Sequence, residues 1–329
     1  MDHIAFPYRS ASHLALLHVI AESGAWEKYG LDVAYNQRIA RADAHSAVAN
    51  GDVQFVGGNH VSTYGKRARG DDWVYLGQTM NLVSGRKLIV RPDSGINSVA
   101  DLKHKTVGTR GAHPGLNDWL FLKQHGLDVD KDEVALVNPD KGRSNEKASN
   151  DVLSGENDGD VWKAVLDRRV DATFVSEPST FFAVAAGLKT IDIDPLPMIF
   201  FTTLSTSTRF AYNHPDIVER FLKGVIEGIH FFKTQPERTI RTLQERLDGE
   251  GKMTLEQATR LQATLAGALE PKLYPSLPAL NNVYQEAVRL DKDALKISPL
   301  ELWDLHFVRD LDDRGFMREL YGEPAVAAH

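Results

Sequence analysis

Short apolar runs of four or five residues alternate, over the first two thirds of the chain, with longer stretches whose apolar positions recur every three or four residues. The first pattern belongs to buried strands and the second to amphipathic helices, so the alternation predicts a mainly parallel sheet covered on both faces. His3–Pro7 is the first strand. One helix from Ser12 to Tyr29 follows and ends at Gly30, where a left-handed residue closes a helix without steric cost. Leu31–Tyr35 is the next strand, Ala42–Asn50 a helix closed by Gly51, and Val53–Val56 a third strand running into Gly57-Gly58-Asn59 and a helix through Arg69. Trp73–Met80 is a further strand.

The rhythm then starts again. Strands are predicted at Lys87–Arg91, Thr106–Thr109, Glu133–Asn138, Ala172–Val175 and Leu188–Ile193, with a helical turn at Ser98–Leu102 and helices ending near His125, Arg168 and Ala186. Met198–Thr203 is apolar and β-rich, and from Pro215 the pattern is almost wholly helical: Pro215–Lys233, Pro236–Arg246, Leu255–Leu269 and Leu280–Leu290, then two short helices after Pro299. The stretch from Asp140 to Asp160 is polar, rich in Gly, Asn, Asp and Ser, and aperiodic until near its end. It is too long for an ordinary connection and reads as an exposed insertion or a lid.

Composition narrows the function classes. The 329 residues suit two lobes of ordinary domain size, each with its own core. A net charge of −7 with scattered Lys and Arg argues against nucleic acid as a partner, and no apolar run approaches the length of a membrane span. The absence of cysteine removes disulfides, thiolate metal sites and cysteine nucleophiles. No charged leader or apolar signal core precedes the first strand, so the expected location is the cytoplasm, or the periplasm if a leader has been removed.

Four segments in order resemble one family. The run from Leu14 through Gly24-Ala25-Trp26-Glu27-Lys28-Tyr29-Gly30-Leu31-Asp32-Val33 is similar to the opening of type II periplasmic binding proteins of the nitrate, sulfonate and taurine group. Asn50-Gly51-Asp52-Val53-Gln54-Phe55, Ser98–Lys103 with Val107-Gly108, and Arg169-Val170-Asp171-Ala172 resemble later segments of it, with Arg168 in place of a family glycine. The resemblance runs from Met1 to about Lys233. It implies a two-lobed α/β fold, each lobe a mainly parallel sheet flanked by helices, with a helical C-terminal extension. Residues 1–85 plus 203–329 would form one lobe and 86–202 the other, joined by two crossover strands with ligand in the cleft between them. Ligands of open α/β sheets do bind at the carboxyl ends of strands, and helix N-termini favour anions.

Five segments just after strands are therefore the candidates. Arg9, Ser10, Ser12 and His13 follow the first strand, where Arg9 offers a fixed charge and the serines serve equally as helix caps. Gly58, Asn59 and His60 follow the third, with glycines that let backbone approach a ligand and a histidine suited to proton transfer. Arg110, Gly111 and His113 occupy the matching loop of the second lobe, with Arg110 the leading anion contact. Glu177 follows the Ala172–Val175 strand, as a cleft carboxylate or a cap, and Thr202 and Thr203 lie near the second crossover. His60, His113 and Glu177 are the candidate catalytic set. If they converge they are also a candidate set for a divalent metal, although no local metal-ligand spacing supports it, and no other cofactor is predicted.

Two function classes follow. One is a cytoplasmic lyase, decarboxylase or hydrolase acting on a small aromatic or heteroaromatic acid with a histidine as general acid or base. The other is an ABC-transporter substrate-binding protein for a sulfonate, nitrate, carboxylate or pyrimidine-like ligand, partnered by a permease. Two enzyme relatives of the scaffold can be compared by residue. Phe55 to Gly70 resembles thiamine-pyrimidine synthases, but their cofactor lysine and following histidine fall on Gly58 and Ser62, and their cysteine-rich loop is absent. Tyr8–Gly24 and Gly85–Ser94 resemble aromatic sulfinate desulfinases, whose nucleophilic cysteine falls near Ser10–Ser12. A serine without an evident base does not replace a thiolate.

Overall fold

The computed structural model describes residues 1–9, 11–40, 43–58, 61–109, 118–139, 161–176, 179–247 and 253–322. The polar stretch from Asp140 to Asp160 lies outside the described residues. Strands and helices alternate first as β1 (Asp2–Ala5), α1 (Leu14–Glu22), α2 (Ala25–Lys28), β2 (Leu31–Ala34), α3 (Ala44–Asn50), β3 (Val56–Gly57), α4 (Ser62–Ala68) and β4 (Val74–Val83). There follow β5 (Lys87–Val90), β6 (Thr106–Gly108), α5 (Asp118–Gln124), β7 (Ala135–Val137), α6 (Val161–Leu166), β8 (Ala172–Val175), α7 (Ser179–Ala185) and β9 (Lys189–Asp192). After β10 (Leu196–Thr206) the chain is helical: α8 (Thr208–Asn213), α9 (Pro215–Thr234), α10 (Pro236–Arg246), α11 (Leu255–Ala268), α12 (Leu277–Leu290), α13 (His306–Asp313) and α14 (Phe316–Tyr321). The chain is thus an α/β protein with a helical C-terminal region.

It divides into two units, Met1–Asn81 with Met198–His329, and Leu82–Pro197, and β4 and β10 carry the chain from one to the other. In the first unit β1 pairs in parallel with β2, while β3, β10 and β4 form a second sheet in which β10 runs antiparallel to β3. The apolar face of α9 closes this unit. Phe221 stacks on Phe55 at 3.8 Å and on Trp26 at 6.0 Å, and meets the edge of Phe6 at 5.0 Å. Gly224 and Gly228 let α9 come this close: a Cβ at Gly224 would lie 2.3 Å from the Trp26 ring, and one at Gly228 2.6 Å from Ile20.

The single helix expected from Ser12 to Tyr29 is instead three pieces: a 3₁₀ turn at Ala11–His13, α1 and α2. The break has a local cause. The Ser23 hydroxyl donates to the Ile20 carbonyl at 2.6 Å and accepts from the Ala25 amide, while Gly24 turns left-handed at φ 72°. Serine competing for backbone bonds beside a glycine ends one helix and starts the next.

The second unit is built on a five-stranded sheet ordered β7-β6-β8-β5-β9. β6 is parallel to β7 and β8, and β5 is antiparallel to β8 and β9. Ile89, Val165, Val170, Val175 and Leu188 form a core between this sheet and the helices α6 and α7. Among the described residues no helix is long and apolar enough to cross a membrane.

Candidate functional site

One corner of the first unit gathers polar side chains from the segment after β1, the end of β3 and β10. The segment after β1 is tied down by Tyr8, whose amide donates to Gln37 and whose carbonyl accepts from Ile39. This tether carries the chain through Arg9 into the 3₁₀ turn that holds Ser12 and His13. His13 is only 6% exposed. Its ring meets Phe201 of β10 edge-on at 5.7 Å and lies against the end of β3, where a Cβ on Gly57 would be 3.0 Å from its Nδ1. Gly58 is left-handed at φ 90°, and a Cβ there would sit 3.2 Å from the His13 ring and 3.5 Å from an Arg9 guanidinium nitrogen. Two adjacent glycines are therefore what allow a histidine and an arginine to rest on this backbone.

Burial pushes His13 down to about 4, and the neighbouring Arg9 charge adds to the effect, so the imidazole is neutral at pH 7. Among the described residues its buried Nδ1 has no hydrogen-bond partner, and neither does the buried Thr202 hydroxyl. Buried polar atoms nearly always find partners, and such exceptions ask for an explanation. Thr202 itself is held firmly. The Thr79 hydroxyl donates to its carbonyl at 2.7 Å and accepts from its amide at 3.1 Å. Just before it, Phe201 is left-handed at φ 65°, an uncommon state for an aromatic residue. The Thr203 hydroxyl is already committed, donating to Gln78 Oε1 at 2.7 Å, while Gln78 Nε2 donates to Phe200 and Met80 carbonyls.

The Arg9 charge is felt on a second set of groups. His45 of α3 is held down to about 4 by burial first, then by Lys66 and Arg9. Its ring tilts over Trp73 at 4.3 Å, and its Nδ1 lies 3.5 Å from Asp71. Tyr75 of β4 is buried and pushed well above the usual phenol range, with Arg9 opposing. His18 lies apart from His13, bonded to the Tyr35 hydroxyl at 3.1 Å.

Of the residues singled out from sequence, the structure brings Arg9, His13, Gly58 and Thr202 to one corner, with Ser12 in the same turn and Thr203 behind it on Gln78. Ser10, Asn59, His60, Arg110, Gly111, His113 and Glu177 lie outside the described residues. Among the described residues no group of three or more His, Asp or Glu could hold a metal ion. Sequence reasoning passed over Thr79, Gln78 and His45, which nothing local signals and which enter through contacts far apart in the chain. Chemically, a cation, a hydroxyl and a neutral imidazole around open backbone suit the capture of a small oxyanion.

Comparison with known proteins agrees with the architecture. The chain covers all of itself and 98% of a putative periplasmic sulfonate-binding protein, SsuA, from Methylobacillus flagellatus, at 17% identity and a TM-score of 0.67. The periplasmic aliphatic sulphonate-binding protein SsuA of Escherichia coli is similar over 98% of this chain and 100% of that one, at 14% identity and a TM-score of 0.61. The desulfurization enzyme DszB is similar over 95% and 99%, at 15% identity and a TM-score of 0.59. These likenesses are of fold, and no curated protein matches the chain in sequence. A family model described as NMT1/THI5 like matches residues 12–239, which include His13, Gly57, Gly58, Thr202 and most of both units, and the chain belongs to that NMT1/THI5-like family.

Proposed function

We propose that this protein is the substrate-binding component of an ABC-type importer and captures a small anion of the sulfonate or carboxylate class at the Arg9, His13 and Thr202 corner. The observation that carries the reading is that corner: a guanidinium beside two glycines, a buried imidazole with an unpartnered Nδ1 and a buried hydroxyl without a partner. A ligand oxygen would satisfy groups that the fold alone leaves unmet. The sulfonate-binding neighbours support the same ligand class. On this reading the protein works in the periplasm beside a permease, and the ligand leaves unchanged.

Calorimetric titration with alkanesulfonates, taurine, nitrate and aromatic carboxylates tests it. A binder of this kind gives saturable heat with one or more of them, and the ligand is recovered intact by NMR. Arg9→Ala should weaken binding roughly 10- to 100-fold, the worth of a charge-assisted hydrogen bond. The desulfurization-enzyme neighbour supports a second, catalytic reading, in which a histidine transfers a proton to a bound aromatic acid. A new product appearing with time would favour that one.

A further inference from the structure

We propose that anion capture at this corner is coupled to the uptake of one proton by His13, so that the site tightens on its ligand as the pH falls. The inference rests on the anion-binding reading above and adds to it a form of regulation.

The geometry sets up the coupling. His13 is enclosed by the turn that carries it, by Gly57 and Gly58 at the end of β3, and by Phe201 and Thr202 of β10. Those β3 and β10 residues bring backbone, an aromatic edge and a hydroxyl, and none of them titrates. Among the described residues Arg9 is the charged group that bears on His13. The same guanidinium is felt by His45 of α3 and Tyr75 of β4, with Lys66 and Asp71 acting on His45. A proton on His13 is therefore opposed both by burial and by a like charge. An oxyanion drawn in by Arg9 reverses the local sign. It supplies an opposite charge within reach of the ring, and it offers an acceptor to a nitrogen that has none among the described residues. Protonation makes both ring nitrogens donors, so the imidazolium matches an oxyanion better than the neutral ring does. By linkage, a ligand that makes protonation easier binds more tightly where protons are available.

The test uses the whole chain with butanesulfonate and nitrate, both fully ionised between pH 5.5 and pH 7.5. Titrations are run at the two ends of that range, each in two buffers of different ionisation enthalpy. If the occupied site returns His13 to its ordinary range, affinity rises about tenfold from pH 7.5 to pH 5.5, and close to one proton is taken up per site at the lower pH. The buffer comparison reads proton uptake in the unaltered protein, so it does not depend on a variant that folds. His13→Asn keeps a hydrogen-bonding side chain and should bind with an affinity that pH does not change. Equal affinity at both pH values with no buffer-dependent heat overturns the coupling and leaves anion capture standing. Coupling that survives in His13→Asn overturns the assignment to His13. Absence of binding at every pH removes the anion-binding reading and this inference with it.

Discussion

In the unit spanning Leu82–Pro197 Arg86 and Arg91 reach partners inside the fold, whereas at the polar corner of the first unit the His13 Nδ1 and the Thr202 hydroxyl have no hydrogen-bond partner among the described residues. Arg86 pairs with the buried Asp118 at 2.8 Å, and Arg91 donates to the Val165 and Val170 carbonyls at 3.0 Å each, fastening α6 and the loop after it to β5. Those polar groups hold structure. His13 and Thr202 do the reverse: burying an unsatisfied polar atom costs folding free energy, which a bound ligand oxygen would offset. On the anion-binding reading, the contrast separates charge used for architecture from polarity held for a ligand.

It can be tested by removing one group at a time. The largest effect should come from Asp118→Ala, which strands the Arg86 charge and should cost about 3–5 kcal/mol of unfolding free energy in urea melts. Arg86→Met combined with Asp118→Leu should recover most of that loss, because the pair is then replaced by apolar packing. Acid comes next. The folded value of His13 lies below its unfolded value of 6.5, so the unfolded chain takes the proton first. Stability is therefore full above pH 6.5 and falls as the pH drops toward 4, by on the order of 3 kcal/mol from this residue. His18 and His45 are shifted in the same direction and steepen the fall. A His13→Leu variant should show a flatter pH profile in the same melts.

Gly57→Ala should cost about 1–3 kcal/mol, since its methyl would crowd His13 and Thr202 at 3.0 and 3.1 Å. The smallest effect should be Thr202→Val, within about 1 kcal/mol of the parent in stability, because the hydroxyl it removes is buried without a partner. The same variant should bind its anion measurably more weakly. A large loss of stability in Thr202→Val would show that this hydroxyl belongs to the architecture after all.

Much of the fold was legible in the sequence because burial repeats. Ala172–Val175 is a strand over the residues read as one, and Pro236–Arg246 is the helix its pattern predicts. The misreadings arise where a side chain talks to distant or neighbouring backbone: Ser23 divides a helix that periodicity joins, and β3 shrinks to Val56–Gly57. The corner was partly legible for a similar reason. Arg9, Gly58 and Thr202 could be placed by their position after strands or at the crossover. The depth of His13 could not, because it is made by Gly57 and Phe201, which are 44 and 188 residues away along the chain.

Phe201 has a bearing on how this protein can change over generations. Its left-handed backbone costs of order 1–3 kcal/mol, a cost that glycine would avoid. The ring that imposes this cost is also the one set edge-on against His13. A drift to glycine would make the strand more comfortable while uncovering one side of the imidazole and easing the burial that holds it neutral. Backbone comfort and the enclosure of His13 therefore favour different residues at position 201.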